Sequence, residues 1–240
     1  MLISRKMIHQ IQGKLAYFFG EKIEIVYIFS TMRSGSTLLK SLLLENMDIP
    51  YYKEINVYNQ GDKNLSYFKI FQKRNKGYVI AKKPASLKDF QTYPVVHPFR
   101  NSMYILLFRH PDEIFQSIQN MMSDLGRNEP AQKIDNYIHT TFKNMLNFHQ
   151  NPQYNSRIVF YQDIVDKPEV VLGNLLQFIN YAYESIHTEY QKNLNAKGWG
   201  EDDISEQFNS GKIIKKNTSP KRQVAKELLQ LYKDIKTKHG

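Results

Sequence analysis

Short apolar runs alternate along this chain with longer stretches in which apolar residues recur every three or four positions. The short runs are rich in β-branched and aromatic residues, which is typical of strands buried on both faces of a parallel sheet. They predict strands at 23–29, 78–81, 104–108 and 157–161. The periodic stretches predict amphipathic helices at 8–19, 37–46, 65–74, 112–123, 131–149, 168–181 and 221–237.

Strands that alternate with helices in this way predict an α/β fold with a central, mostly parallel sheet flanked by helices. The chain shows no linker-like change of composition and no internal repeat. We therefore expect a single domain that spans residues 1–240.

Composition narrows the class of protein. The chain has 33 Lys and Arg against 23 Asp and Glu, a formal charge of +10, and no cysteine. The absence of cysteine excludes disulfides, a thiolate nucleophile and cysteine-ligated metals. The excess charge fits either a solvated lysine-rich surface or an anionic ligand. The apolar patch at 16–19 is too short for a signal peptide or a membrane span, so we expect a soluble cytoplasmic protein.

A small polar turn at 32–37 separates the first predicted strand from the next helix. Such a turn points backbone N–H groups and the positive end of a helix at one spot, which favours anion binding. The turn departs from the nucleotide-triphosphate loop, because Ser30 replaces its first glycine and Ser36 replaces its lysine. These two changes argue against an ATP or GTP hydrolase.

The sequence Arg-Ser-Gly-Ser-Thr-Leu-Leu in this turn resembles the 5′-phosphosulfate loop of sulfotransferases that use 3′-phosphoadenosine 5′-phosphosulfate (PAPS), in its bacterial and carbohydrate-type form. The resemblance implies a sulfotransferase fold with a P-loop-like turn. It also implies that the phosphosulfate is bound by Arg33, Ser34, Gly35, Ser36 and Thr37. Arg33 and the N–H donors of the turn are the candidates for stabilising charge on the leaving phosphate.

A second motif strengthens the resemblance. Members of the family hold the 3′-phosphate with an arginine at the end of a later strand and a serine in the following helix, and Arg109 and Ser117 have that arrangement here. Arginine offers a forked, permanently charged set of donors for a phosphate dianion. Near the C-terminus, Lys221 and Arg222 are candidates for a basic segment that covers the nucleotide, although the match to the family's form is poor.

The resemblance also suggests a catalytic lysine and a general base. Lys82 or Lys83 follows the strand at 78–81, and only one of two adjacent strand residues faces the turn. We expect that residue to be Lys83, because the Lys-Pro pair begins the loop. Glu54 is the first candidate for the base and His97 the second, since related enzymes use a glutamate or a histidine in these regions.

The predicted function is transfer of the sulfuryl group from PAPS to a hydroxyl, or less favourably an amine, of a small molecule, natural product, lipid or glycan. We expect no metal, because the histidines are scattered, and no nucleic-acid partner. Two alternatives stay open: a small-molecule kinase with a degenerate nucleotide loop, and a basic nucleic-acid-binding protein. Metal-dependent ATP consumption would support the first, and salt-dependent nucleic-acid binding the second. The identity of the acceptor and the oligomeric state are left open.

Overall fold

Four strands form the centre of the protein in a computed structural model that describes residues 24–52, 77–82, 102–190, 210–214 and 223–240. The strands are β1 (Glu24–Ser30), β2 (Tyr78–Lys82), β3 (Ser102–Phe108) and β4 (Asn155–Phe160). The helices are α1 (Ser36–Asn46), α2 (Pro111–Asp124), α3 (Ala131–Gln150), α4 (Tyr161–Asp166), α5 (Pro168–Phe178) and α6 (Lys226–His239). None of the helices within the described residues is long and apolar enough to cross a membrane.

The sheet is parallel throughout and has the order β2-β1-β3-β4. The helix that follows β1 leads towards β2 at one edge, whereas the chain after β3 leads towards β4 at the other edge. In such sheets the crevice for a ligand lies where the connections diverge, outside the carboxyl ends of the strands. Here that point lies between the ends of β1 and β3, which pair in register up to Ser30 and Leu107.

Both faces of the sheet are covered. Six consecutive residues of β1 and six of β3 are buried, and successive side chains of a strand point to opposite faces. Helix α1 packs against β1, β2 and α5, whereas α3 packs against β1, β3, β4, α2 and α6. Against α3, the rings of Phe29 and Tyr104 meet Phe148 edge-on with centroids 5.3 and 4.8 Å apart. The core therefore consists of two apolar layers with the sheet between them.

The structure confirms the predicted fold class, and it differs from the sequence prediction in detail. Tyr161, predicted as the last residue of a strand, is the first residue of α4. The last helix begins at Lys226 rather than at residue 221, and the described residues 223–225 before it are not helical. The helices predicted at 8–19 and 65–74 lie outside the described residues. The extent of the domain over residues 1–240 stays a prediction.

Candidate active site

The turn between β1 and α1 contains two residues with a positive φ and leads directly into the start of a helix. Arg33 and Gly35 have φ angles of 62° and 89°, in the left-handed region. The Ser34 hydroxyl donates to the carbonyl of Thr31 at 2.8 Å, and the N–H of Leu39 donates to the carbonyl of Gly35 at 3.1 Å. The N–H groups at the start of α1 precede this first helical bond, so the helix itself leaves them without acceptors. An anion in the turn would accept from them.

Glycine is required at position 35 for two reasons. Its positive φ disfavours residues with a Cβ, and a Cβ built there would overlap the ring of Tyr161. Tyr161 begins α4 and lies beneath a cation, since the guanidinium of Arg109 is 4.3 Å from its ring centroid. The turn, the end of β3 and the start of α4 are therefore packed together at the carboxyl edge of the sheet.

The residues of the two predicted phosphate sites touch each other. The Nε of Arg33 donates to the hydroxyl of Ser117 at 3.1 Å, and the Nη1 of Arg109 donates to the carbonyl of Arg33 at 3.1 Å. The Nε of Arg109 forms an ion pair with Glu113 at 2.7 Å. This ion pair neutralises part of the positive charge of Arg109 and orients its guanidinium before any ligand binds.

The lysine at the end of β2 reaches the same turn. Lys82 is buried, with 2% of its surface exposed, and its Nζ donates to the Oγ1 of Thr37 at 2.6 Å. The structure thus places Lys82 against α1 at the turn. Lys83, the residue favoured by the sequence, lies outside the described residues. The carboxyl ends of β1, β2 and β3 therefore contribute Arg33, Lys82 and Arg109 to one region.

Several predicted site residues fall outside the part of the chain that the structure describes: Glu54, Lys83, His97, Lys221 and Arg222. The chain close to Glu54 is described as far as Tyr52. The Tyr52 hydroxyl accepts from the N–H of Ile80 at 2.7 Å and donates to its carbonyl at 2.9 Å. The Nζ of buried Lys40 bonds to the carbonyl of Tyr52 and lies 4.7 Å from the ring centroid of Tyr51. These contacts fix the chain beside β2 two residues before Glu54.

Two contacts around the site had no signal in the sequence. The N–H of Met32 donates to the hydroxyl of Tyr137 at 2.7 Å, and burial raises the pKa of that hydroxyl well above its ordinary value of 10. The carboxylate of Asp112, at the start of α2, accepts from the N–H of Val224 at 2.7 Å. The second contact anchors the chain that precedes α6 beside the helix carrying Ser117. Tyr137 lies in no sequence motif, and although Asp112 stands between Arg109 and Ser117, nothing in the sequence pairs it with Val224.

The chemistry of this arrangement suits an anion with more than one charged group. Arg33, Lys82 and Arg109 are cations, and the turn adds backbone N–H donors and the positive end of α1. Among the described residues, no group of three or more histidine, cysteine, aspartate or glutamate side chains could hold a metal ion. The described residues thus offer binding and charge stabilisation of an anion through cationic groups and N–H donors.

Three solved structures to which this chain is similar in fold are sulfotransferases. A sulfotransferase domain from the curacin biosynthetic pathway is 19% identical, with a TM-score of 0.62 over 89% of this chain and 98% of that one. A sulfotransferase domain from the Synechococcus PCC 7002 olefin synthase is 18% identical, with a TM-score of 0.61 over 90% and 96%. A mouse sulfotransferase in complex with PAP is 16% identical, with a TM-score of 0.50 over 73% and 64%.

Two sequence comparisons were informative: a search of curated proteins and a match to a family model. No curated protein matches the chain by sequence. The model of the sulfotransferase family matches residues 51–185, which include Arg109 and Ser117 but begin after the turn at 32–37. This match covers more than half of the chain. The chain, an enzyme with a glycine-containing turn at the carboxyl edge of a parallel sheet, belongs to the sulfotransferase family.

Proposed function

We propose that this sulfotransferase takes its sulfuryl group from PAPS and transfers it to a hydroxyl of a small molecule, natural product, lipid or glycan. The observation that carries the proposal is the direct contact between Arg33 of the turn and Arg109 and Ser117 of the second motif. PAPS has a phosphosulfate and a separate 3′-phosphate. Two adjacent cationic subsites at one sheet edge are what such a ligand requires.

The turn is assigned to the phosphosulfate side of the nucleotide. The N–H groups at the start of α1 and the side chains of Ser36 and Thr37 lie at the positive end of that helix. Arg33 adds a guanidinium to these donors. Because bound PAPS supplies a sulfuryl group attached to a phosphate leaving group, negative charge develops on the phosphate as the bond breaks. Donors fixed in advance stabilise that charge without reorganisation.

Arg109 and Ser117 are assigned to the 3′-phosphate. Arg109 has its Nε on Glu113 and its Nη1 on the carbonyl of Arg33, and these two bonds hold the guanidinium plane in one orientation. The Ser117 hydroxyl accepts from Arg33 and has a proton to donate. Lys221 and Arg222 stay candidates for covering the nucleotide. They precede Val224, whose N–H is bound by Asp112 at the start of α2.

Lys82 replaces Lys83 as the proposed catalytic lysine. Only one of the two neighbours can face the turn, and the ammonium of Lys82 already contacts Thr37 inside it. A buried ammonium at this position would strengthen its interaction with a leaving phosphate, because little water screens it. Glu54, with His97 as the alternative, is proposed as the base that takes the proton of the acceptor.

Three solved structures of similar fold inform the choice of acceptor and donor. One domain comes from a biosynthetic pathway and another from an olefin synthase, which supports a hydroxyl of a biosynthetic small molecule or natural product as the acceptor here. The mouse sulfotransferase was solved with PAP, which supports a nucleotide donor of the same type.

The proposal is tested by thermal shift with 3′,5′-ADP, 5′-AMP and ATP. A ligand that binds only the native state raises the apparent stability, so 3′,5′-ADP is expected to raise the Tm most. Arg109→Ala should abolish that preference, whereas Arg157→Ala, which removes an exposed arginine of β4, should keep it. Lack of preference for the 3′-phosphate in the wild-type protein refutes the PAPS assignment.

The roles of the lysine and the base are tested separately. Lys82→Met is expected to retain binding of 3′,5′-ADP to within about tenfold and to lose most of the transfer activity, since the group mainly stabilises charge on the leaving phosphate. Glu54→Gln should likewise bind the nucleotide and lose transfer. Normal turnover in either variant removes that residue from the mechanism.

A further inference from the structure

Tyr137 places its hydroxyl against the turn from a distant part of the chain. The N–H of Met32 donates to this hydroxyl at 2.7 Å, although the two residues are 105 positions apart. Tyr137 lies on α3, where Ile134, Ile138 and Thr141 of the same helix are buried in the core. The packing of α3 on the sheet therefore fixes where the hydroxyl lies relative to the end of β1.

The bond to Met32 lies next to Arg33, the residue of this turn that has a positive φ although it is not a glycine. Arg33, which follows Met32, has a φ of 62°, a region that residues with a Cβ adopt only when their surroundings hold them there. The N–H of Met32 is held by Tyr137, and the carbonyl of Arg33 is held by Arg109 at 3.1 Å. These two bonds fix the peptide planes before Met32 and after Arg33. Together they define the backbone from which the Arg33 guanidinium extends.

A phenol suits this position better than a carboxylate would. Either group can accept the N–H of Met32, but a carboxylate would add a negative charge beside an anion-binding turn. Burial of the Tyr137 hydroxyl raises its pKa, so it stays neutral over the whole working range of pH. The turn thus gains an anchor without losing electrostatic attraction for its ligand.

We propose that Tyr137 is a positioning residue that sets the affinity of the turn for the 5′-phosphate side of the nucleotide, acting through Met32 and Arg33. This inference rests on the proposed function, because it names the same nucleotide. Among the described contacts Tyr137 is linked to Arg109 and Ser117 only through Arg33, so we expect the affinity for the 3′-phosphate to depend on Tyr137 less than the affinity for the 5′-phosphate does.

The test compares Tyr137→Phe with the wild-type enzyme by calorimetric titration of 3′,5′-ADP and 3′-AMP. Loss of one hydroxyl leaves the Met32 N–H without its acceptor, so the affinity for 3′,5′-ADP should fall about tenfold. The affinity for 3′-AMP should change by less than about twofold. Tyr181→Phe is the matched control, because it removes a hydroxyl that also bonds to a backbone group, the carbonyl of Met47, at 2.8 Å. That control should bind both ligands as the wild type does.

Amide hydrogen exchange provides a second measurement that needs no ligand. The Met32 amide should exchange faster in Tyr137→Phe than in the wild type and in Tyr181→Phe. Equal losses of affinity for the two nucleotides, or no loss for either, would overturn the positioning role. If the wild type binds 3′,5′-ADP no better than 3′-AMP and 5′-AMP, the proposed function fails and this inference fails with it. The wild-type titration therefore separates the two failures.

Discussion

Replacing Gly35 by alanine is expected to destabilise the protein more than the same change at Gly126. Both glycines have a positive φ, 89° and 66° respectively. In this region a Cβ costs about 1–2 kcal/mol in the free energy of unfolding, so that part of the effect is common to both variants. The two sites differ in the space around the new methyl group. A Cβ at Gly126 would have no heavy atom within 4 Å outside its chain neighbours, whereas a Cβ at Gly35 would overlap the ring of Tyr161.

The overlap with the Tyr161 ring determines how much more the free energy of unfolding falls in Gly35→Ala than in Gly126→Ala. The Tyr161 ring cannot move freely, because the Arg109 guanidinium lies 4.3 Å from its centroid. Forcing a methyl group into a packed site typically costs about 1–3 kcal/mol. Gly35→Ala should therefore lower the free energy of unfolding by about 1–3 kcal/mol more than Gly126→Ala does. The displaced ring should also disturb Arg109 and weaken nucleotide binding.

Urea denaturation of the two variants measures this difference. A double-mutant cycle with Tyr161→Ala identifies its cause, since removal of the ring removes the overlap. In the Tyr161→Ala background, Gly35→Ala should cost only about the 1–2 kcal/mol of the backbone effect. The steric reasoning is wrong if Gly35→Ala and Gly126→Ala cost the same, or if the cost at Gly35 does not change in the absence of the ring.

Three further predictions concern the packing around the sheet. Burial lowers the pKa of His149 and His239 below the ordinary value of 6.5, so protonation favours the unfolded chain. The free energy of unfolding should be fully retained above about pH 6.5 and decline below it, and His149→Gln should reduce that slope in urea titrations between about pH 5 and 8. Tyr52→Phe leaves the N–H and the carbonyl of Ile80 without the hydroxyl that bonds both, and should cost about 2 kcal/mol or more in urea denaturation; an unchanged midpoint would contradict this. Asp112→Ala should cost about 1–3 kcal/mol because the Val224 N–H loses its acceptor, while Asp112→Asn, which keeps an acceptor oxygen, should cost less.

The fold was largely predictable because burial on both faces leaves a strong signal. Each predicted strand is a mostly apolar run, with Glu24 in the first and Arg157 at the start of the fourth, and all four appear in the sheet. The ends of elements were harder to predict. Tyr161 follows an apolar strand without a break in hydrophobicity, so its place at the start of α4 had no signal. Helix α5 ends at Phe178, where Asn180 takes a φ of 55° and the N–H of Tyr181 donates to Leu176 at 2.9 Å. A helix end with asparagine in the left-handed conformation is harder to predict from the sequence than one with glycine.

The candidate site was predictable only where residues stand at the spacing of a recognisable motif. Arg33, Arg109 and Ser117 were identified in this way, and the structure brings them into contact. The choice between Lys82 and its neighbour depends on which side chains of β2 point to each face of the sheet, and the apolar run of four residues at 78–81 does not define this. Tyr137 could not be found, because its contact with Met32 joins positions 105 residues apart and uses no charge.

The way the turn is supported explains why a cluster of like charges can persist there. The guanidinium of Arg109 donates to the backbone carbonyl of Arg33, and Arg33, Lys82 and Arg109 place three positive charges around one turn, where like charges repel unless the surroundings compensate. Glu113 and the face of the Tyr161 ring stabilise Arg109, and the hydroxyls of Ser117 and Thr37 accept from Arg33 and Lys82. Most of these supports are neutral, so they orient the cations and leave net positive charge in the turn. An anion is the ligand that would relieve the remaining repulsion, so among the described residues the basic excess of the composition bears on the proposed binding at Arg33, Lys82 and Arg109.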